Sequence, residues 1–422
     1  MSLSAWLKKY NYKPLLIDAN SGNLGHDDIL ARINEHNIQI VGISCITSTY
    51  SQVVSLSRFL KEKGKNVIVG GIHPSFLPYQ TLVDTGAEYV LCGEGEIPLL
   101  KLLEKNMVND GIKGVYSLDN LKDADTQYQM ADVVSNLDDI PMLDWEQLPP
   151  LDSGCSIETT RGCSNSCKFC VSKSFNGRKV RMRSPQRVVE EMLYLKEKFN
   201  VKSFGFVDDS MTLNKERVAA ICNLMLEHDL IIPWSCFVRA DQLDDDTIEL
   251  MKKTGLNSCG IGVESANDEI LKNINKDESV DEIRRGIEML LKHNLNTNLL
   301  LIIGLPGETK KTIKKTIDFT LSFNAPSLLT ILYNQLQIVP GSELWNDLKG
   351  MYQIVHSTHC DMKLDQQGLN TTWTPQGLTH KDLKWALYIG YARFYLRPAY
   401  FFAAMKRSGM RNLIMILKGL FN

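Results

Sequence analysis

Glu158-Thr159-Thr160-Arg161-Gly162-Cys163-Ser164-Asn165-Ser166-Cys167-Lys168-Phe169-Cys170 places three thiols on one short loop with C-x3-C-x2-C spacing, just after an apolar run that reads as a strand. Three thiolates from one loop suit three irons of a cubane cluster and leave the fourth iron open to a ligand that is not protein. A zinc knuckle completed by a distant Cys or His, or coincidence among ten cysteines, are the alternative readings of this spacing.

Outward from the loop, candidate strands recur near 155–160, 203–208, 233–238, 258–263, 297–303 and 328–338, with helical patterns such as 188–199, 216–228, 245–254, 280–293 and 310–323 between them. This βα alternation predicts a partial parallel barrel over 151–348, with its active site at the carboxyl ends of the strands. Those ends carry informative residues. Asp208 and Asp209 follow the second strand and can accept from an ammonium, or Asp can cap a helix there. Arg239 follows the third strand and can fork onto a carboxylate, or pair with Asp241. Gly260 and Gly262 in the fourth let a ligand approach the backbone, and Glu264 can accept from a hydroxyl or an amine. Gly304 and Pro306 specify a strand-to-helix turn after the fifth, and Val339-Pro340-Gly341-Ser342 follows the sixth.

Upstream, residues 1–117 read as an open, doubly wound α/β domain that begins with a helix. Gly70-Gly71-Ile72-His73-Pro74 and Gly93-Glu94-Gly95-Glu96 stand where strand ends line a crevice, or form ordinary tight turns. Asp, Asn and Pro accumulate over 118–150, which reads as a linker, and 349–422 reads as an irregular helical region.

The triplet with Phe169 before its last cysteine, on the loop after the first strand of a partial barrel, resembles the radical S-adenosylmethionine (SAM) superfamily. With the α/β module in front, the chain resembles the superfamily's cobalamin-binding group along nearly its whole length. The resemblance implies that Cys163, Cys167 and Cys170 hold a 4Fe–4S cluster whose open iron is chelated by SAM. One electron then cleaves the sulfonium to methionine and a 5′-deoxyadenosyl radical, which abstracts a substrate hydrogen. It implies that Phe169, Asp208, Asp209, Arg239, Gly260, Gly262, Glu264, Gly304 and Pro306 seat SAM. It also implies that Gly71, His73, Gly93 and Glu94 belong to the cobalamin crevice. Two departures stand out: no D-x-H-x-x-G motif exists to ligate cobalt from below, and a helix stands where the family opens with a strand. The implied reaction is cobalamin-dependent methylation, cyclisation or another rearrangement of an unactivated carbon in a small-molecule, lipid-like or peptide substrate. A reductase, flavodoxin or ferredoxin would supply the electron. A corrinoid carrier and a zinc-binding structural protein are the rival classes, and neither has a use for the barrel motifs downstream of the triplet.

The net charge of −2 gives no global pull toward nucleic acid, and 44% hydrophobic with 23% charged residues is an ordinary globular composition. No apolar stretch reaches the roughly 18 residues that cross a bilayer, and the N-terminus lacks the order of a secretory signal, so a cytoplasmic protein is expected. Cys45, Cys92, Cys222, Cys236 and Cys259 sit singly in apolar runs and read as core residues. His356, His359 and Cys360 read as a solvated loop or a metal site. From Leu383 to Asn422 there are seven basic residues, no acid and interleaved aromatics. This composition suits peripheral contact with an anionic membrane, or a helical cap packing its aromatics on the barrel.

Overall fold

The computed structural model describes residues 1–148, 150, 154–348 and 373–406. His356, His359 and Cys360 lie outside the described residues. In the front half β1 (Ile40–Ser44), β2 (Asn66–Gly70) and β3 (Tyr89–Leu91) run parallel, and β4 (Val115–Tyr116) adds antiparallel to β3. The β-branched run Val67-Ile68-Val69 is buried throughout, as a strand covered on both faces requires. Helices Tyr50–Glu62 and Pro78–Thr85 make the crossovers, and Glu96–Glu104 follows β3. The helix Ser2–Lys9 comes first, as the sequence suggests. Among the described residues no strand lies beside the outer edge of β1, and Gly42 and Ser44 are exposed there.

Among its described residues the segment 118–150 has no regular strand or α-helix, yet its second half is anchored by buried side chains. Val134, Leu137 and Ile140 bury against Trp6, Leu7 and Leu100, while Trp145 enters the barrel core and donates its indole N–H to Glu191 at 2.6 Å. Asp144 accepts from Ser4 and pairs with Lys8 at 2.6 and 2.7 Å. It is a strap over the junction of the two sheets, built of side-chain anchors that leave no periodic trace.

Six parallel strands form the second sheet in the order β12-β11-β10-β9-β8-β5. They are β5 (Cys155–Ile157), β8 (Phe204–Phe206), β9 (Trp234–Val238), β10 (Leu256–Glu264), β11 (Asn296–Ile303) and β12 (Leu329–Gln335). The short pair β6 (Thr160–Arg161) and β7 (Arg181–Met182) stands apart as an antiparallel ribbon. Alternate residues such as Trp234, Ile261, Leu299 and Tyr333 are buried under the crossover helices, and the others face the concave side. Those helices start on Ser184, Asn214, Asp244, Ser279 and Thr309, whose side-chain oxygens accept early backbone N–H groups that the helix itself cannot satisfy.

The free edge of β12 is covered by the helix His380–Tyr395. The Tyr391 hydroxyl accepts from the Tyr333 N–H at 2.9 Å and donates to its carbonyl at 3.1 Å, and Tyr395 reaches Ile331 in the same way. One helical turn and two strand residues have nearly equal rise, so the hydroxyls keep step with the edge. Tyr400 likewise joins Ala325 and Phe323. The aromatics that suggested a membrane surface are therefore largely absorbed by barrel packing, although Trp385 and Phe402 stay exposed. No helix among the described residues is long and apolar enough to cross a membrane.

Candidate active site

The cysteine loop leaves β5 and is pinned at several points. Asp208 turns inward and accepts from the Thr159 and Thr160 N–H groups at 2.6 and 2.9 Å, and from the Thr159 hydroxyl. Its carboxylate is thereby occupied in holding the root of the loop, not in facing a ligand as the sequence reading supposes. Between Cys167 and Cys170, the Lys168 N–H donates to the Ile274 carbonyl and the Lys168 carbonyl accepts from the Leu344 N–H, both at 2.9 Å. Cys163, Cys167 and Cys170 are all partly exposed. Asn165 donates to the Cys163 sulfur at 3.3 Å and the Ser172 N–H to the Cys170 sulfur at 3.4 Å. Asp209 accepts from the Ser172 hydroxyl at 2.5 Å, after the last cysteine, whereas Asp208's contacts precede the first. Phe169 packs at the margin of the barrel core.

A buried ionic group stands beside Cys167. Glu264 ends β10 with φ +60°, a left-handed conformation that costs a non-glycine residue energy and is concentrated at functional sites. Lys276 lies 3.6 Å from Glu264 and 3.1 Å from Glu278. Arg239 forks onto Asp241 at 3.0 and 3.1 Å and reaches Glu278 at 3.4 Å, so the Arg–Asp pairing is the one realised. Burial pulls Lys276 toward its neutral form, but Glu264 and Glu278 outweigh it and hold the ammonium charged. Burial raises Glu264, against the pull of Lys276. Burial also raises the Cys167 thiol, opposed by Lys276 and Arg239, and pushes Cys170 up to about 11. A Cβ on Gly262 would lie 2.5 Å from the Glu264 carboxylate and 2.9 Å from the Lys276 ammonium, which explains the glycine. Gly260 leaves room for the Phe237 ring. The Gly304 and Leu305 N–H groups donate to Glu308 at 2.6 and 3.0 Å, shaping the turn that carries Pro306.

The front domain holds the same loop from the other side. Arg161, two residues before Cys163, pairs with Glu94 at 2.8 Å, Glu96 at 3.0 Å and Glu158 at 2.9 Å. Arg181 pairs with Glu94 and donates to the Val134 carbonyl at 2.8 Å. Burial opposes ionisation of Glu94, but Arg181 and Arg161 prevail and hold its carboxyl below the usual range. Glu94 is thus an interdomain anchor and not a free crevice group. A second contact brings the Phe76 ring against Gly341, where a Cβ would meet it at 2.4 Å.

At the crevice of the front sheet, Gly71 has φ +112° and a Cβ there would lie 2.5 Å from the Cys45 carbonyl, so glycine is required by backbone approach. His73 is buried, its ring 4.0 Å from that of Tyr50. Gly93 is buried beside Ala131. Half-buried Thr47, Ser48 and Thr49 follow β1 at the same end.

The family model of the radical SAM superfamily matches residues 157–320, and that of the B12 binding domain matches residues 1–103, together more than half of the chain. The chain belongs to the cobalamin-binding group of the radical SAM superfamily. An uncharacterized methyltransferase of Pyrococcus horikoshii is 28% identical over 401 residues, covering 91% of this chain and 84% of that protein. The anaerobic magnesium-protoporphyrin IX monomethyl ester cyclase of Rubrivivax gelatinosus is 24% identical over 417 residues, covering 94% and 73%. Among solved structures, the cobalamin-dependent SAM radical enzyme OxsB with aqua-cobalamin bound shares the fold at TM-score 0.67 and 20% identity over 83% of this chain. This chain spans about half of OxsB's length, 52%. The radical SAM methyltransferase TsrM from Kitasatospora setae aligns at TM-score 0.67 and 16% identity, covering 82% of this chain and 70% of that one.

A radical SAM enzyme with a B12 domain takes a 4Fe–4S cluster, SAM and cobalamin, and needs a small-molecule substrate and an electron donor. The residues present fit the cluster: three thiols on one pinned loop, two of them already accepting N–H···S bonds of the kind that tune cluster potentials. Toward cobalamin, the half-buried hydroxyl residues Thr47, Ser48 and Thr49 gather at the carboxyl end of the front sheet, where such α/β sheets bind their ligands. Lys276 and the Thr47-Ser48-Thr49 loop escape the sequence reading. The loop's position at a strand's carboxyl end was a usable signal, whereas nothing in Asn275-Lys276-Asp277 marks a buried ammonium.

Proposed function

We propose that the enzyme performs a radical reaction at an unactivated carbon of a small molecule, either methylation or a rearrangement such as ring closure. The carrying observation is the set of three partly exposed thiols on a loop locked from both sides, with a buried ion group next to Cys167. When bound, the cluster supplies an electron, SAM the cleavable sulfonium, and cobalamin a methyl carrier. The chain's own residues bind and orient. Cys163, Cys167 and Cys170 hold the cluster, and Phe169 packs beneath the loop. Glu264 and Asp209 accept from the amino group and ribose of SAM. Arg239 and Lys276 place positive charge toward its carboxylate. Gly260 and Gly262 let Phe237, Glu264 and Lys276 lie close against β10 and so shape the nucleoside's bed, with the Gly304–Pro306 turn at its margin. Gly71, His73 and Gly93 shape the corrinoid crevice, and Thr47, Ser48 and Thr49 offer it hydroxyls.

The named relatives, a cyclase and several methyltransferases, span both outcomes. The reductant is of the flavodoxin or ferredoxin class. The enzyme works in the cytoplasm: its nine described cysteines are all free thiols, which suits a reducing compartment. The deciding experiment incubates anaerobically reconstituted protein with a reductant, methyl-labelled SAM and candidate substrates. Formation of 5′-deoxyadenosine is expected, with label in the product for methylation and none for a rearrangement. A colourless, zinc-loaded protein that leaves SAM intact would contradict the proposal.

A further inference from the structure

The concave face of the barrel has a chemistry of its own. Across its six strands Glu264 is the only Asp, Glu, Lys, Arg or His, and it sits at a carboxyl end. At the amino ends lies a cup of about 450 Å³ lined by Ser156, Ser203, Gly205, Ser235, Asn257 and Ser258. That volume is in the range of small-molecule sites. The polar floor continues across the sheet, with Asn298 donating to the Ser258 hydroxyl at 3.2 Å and accepting from Thr330. Halfway along, the character changes. Val207, Phe237 and Leu332 are 51%, 43% and 46% exposed, and half-buried Leu300 pairs in register with Leu332. Large apolar side chains left open inside a concave sheet, with the charged groups gathered beyond them at its carboxyl end, match a ligand with an apolar body.

We propose that this trough takes an uncharged amphiphile. Its hydroxyl or amide end enters the serine cup, its apolar body lies along Val207, Phe237, Leu300 and Leu332, and the carbon that reacts is presented at the cysteine loop. The inference rests on the radical SAM reading of the same barrel. From Ser235 to Arg239 the trough is about 13 Å long, four residues at about 3.3 Å each, so the substrate is elongated. An anionic or cationic group in the cup or along the apolar wall would lose water and find no counter-charge short of the carboxyl end, which disfavours phosphorylated and ammonium-bearing bodies there. Hydroxyls and amides are satisfied by Ser, Asn and Thr alone.

The test uses the reconstituted holoenzyme with three probes of equal chain length, all below their micelle thresholds: octyl glucoside, octyl sulfate and octyltrimethylammonium. Calorimetry should show the glucoside binding at least tenfold more tightly than either ion. Ser235→Leu, which fills the cup, and Leu332→Asp, which charges an exposed wall position, should each weaken glucoside binding at least fivefold. Equal or tighter binding of an ionic probe would overturn the proposal. So would a glucoside that does not bind, or one whose affinity neither variant changes. Iron content and SAM affinity measured on the same samples separate the two readings. A protein that holds cluster and SAM but ignores the glucoside defeats only the trough, and one that holds neither defeats the radical reading itself.

Discussion

Substituting Glu94→Gln removes the charge that joins the front domain to the root of the cysteine loop. The side chains of Glu94 and Arg181 are each 5% exposed, and Arg161 is 11% exposed. In the variant Arg161 keeps Glu96 and Glu158, but Arg181 retains only the Val134 carbonyl. Leaving one member of a buried pair without its counter-charge costs about 3–5 kcal/mol, whereas replacing both by apolar residues is often near neutral. Glu94→Gln should therefore destabilise by about 3 kcal/mol or more, and Glu94→Met with Arg181→Met by clearly less than the sum of the single changes. Urea unfolding followed by tryptophan fluorescence measures all the variants, and the coupling energy isolates the pair. The pH dependence follows from the same ion pairs. Because the folded pKa of Glu94 is depressed, its contribution is fully present above the unfolded carboxyl pKa, about 4.3, and is lost as pH falls through the lower folded value. A single variant within about 0.5 kcal/mol of wild type, or a coupling energy near zero, would refute the clamp.

Glu308 titrates in the opposite sense: burial pushes it up to about 7 from 4.5, so stability falls as pH rises between those values, by ~3 kcal/mol in all, and Glu308→Gln should flatten that slope in unfolding curves. Tyr391→Phe strips partners from the Tyr333 N–H and carbonyl on the β12 edge and should cost about 1–3 kcal/mol, while Tyr388→Phe, which has no such bonds, serves as its control. Gly71→Ala drives a Cβ toward the Cys45 carbonyl at φ +112° and should cost about 1–3 kcal/mol, with weaker retention of hydroxocobalamin on gel filtration; full stability would show that the strand end yields.

What was legible in the sequence was local or periodic. The cysteine triplet declares itself because its ligands sit within eight residues, and Leu299–Ile303 declares itself as an apolar run, although the strict alternation of buried and half-buried residues along Asn296–Ile303 emerges only in three dimensions. The two-residue β4 and the strap over 118–150 have no period, being held by distant partners such as Glu191 and Lys8. Asp208 and Asp209 show the limit of reading side chains from neighbouring positions. They are adjacent in sequence, yet one folds under Thr159 and Thr160 while the other meets Ser172. Glu94 is legible as a residue after a strand end, but its partners, Arg161 and Arg181, face each other in the β6–β7 ribbon and could be paired with it only in three dimensions.

The most direct test of the central claim is electron paramagnetic resonance of the reduced, anaerobically reconstituted protein with and without SAM. Three protein thiolates and one open iron predict about four irons per chain, a reduced-cluster signal that shifts when SAM is added, and loss of both in the Cys163→Ala, Cys167→Ala, Cys170→Ala triple variant. A signal indifferent to SAM, or iron and sulfide content unchanged in the triple variant, would contradict it.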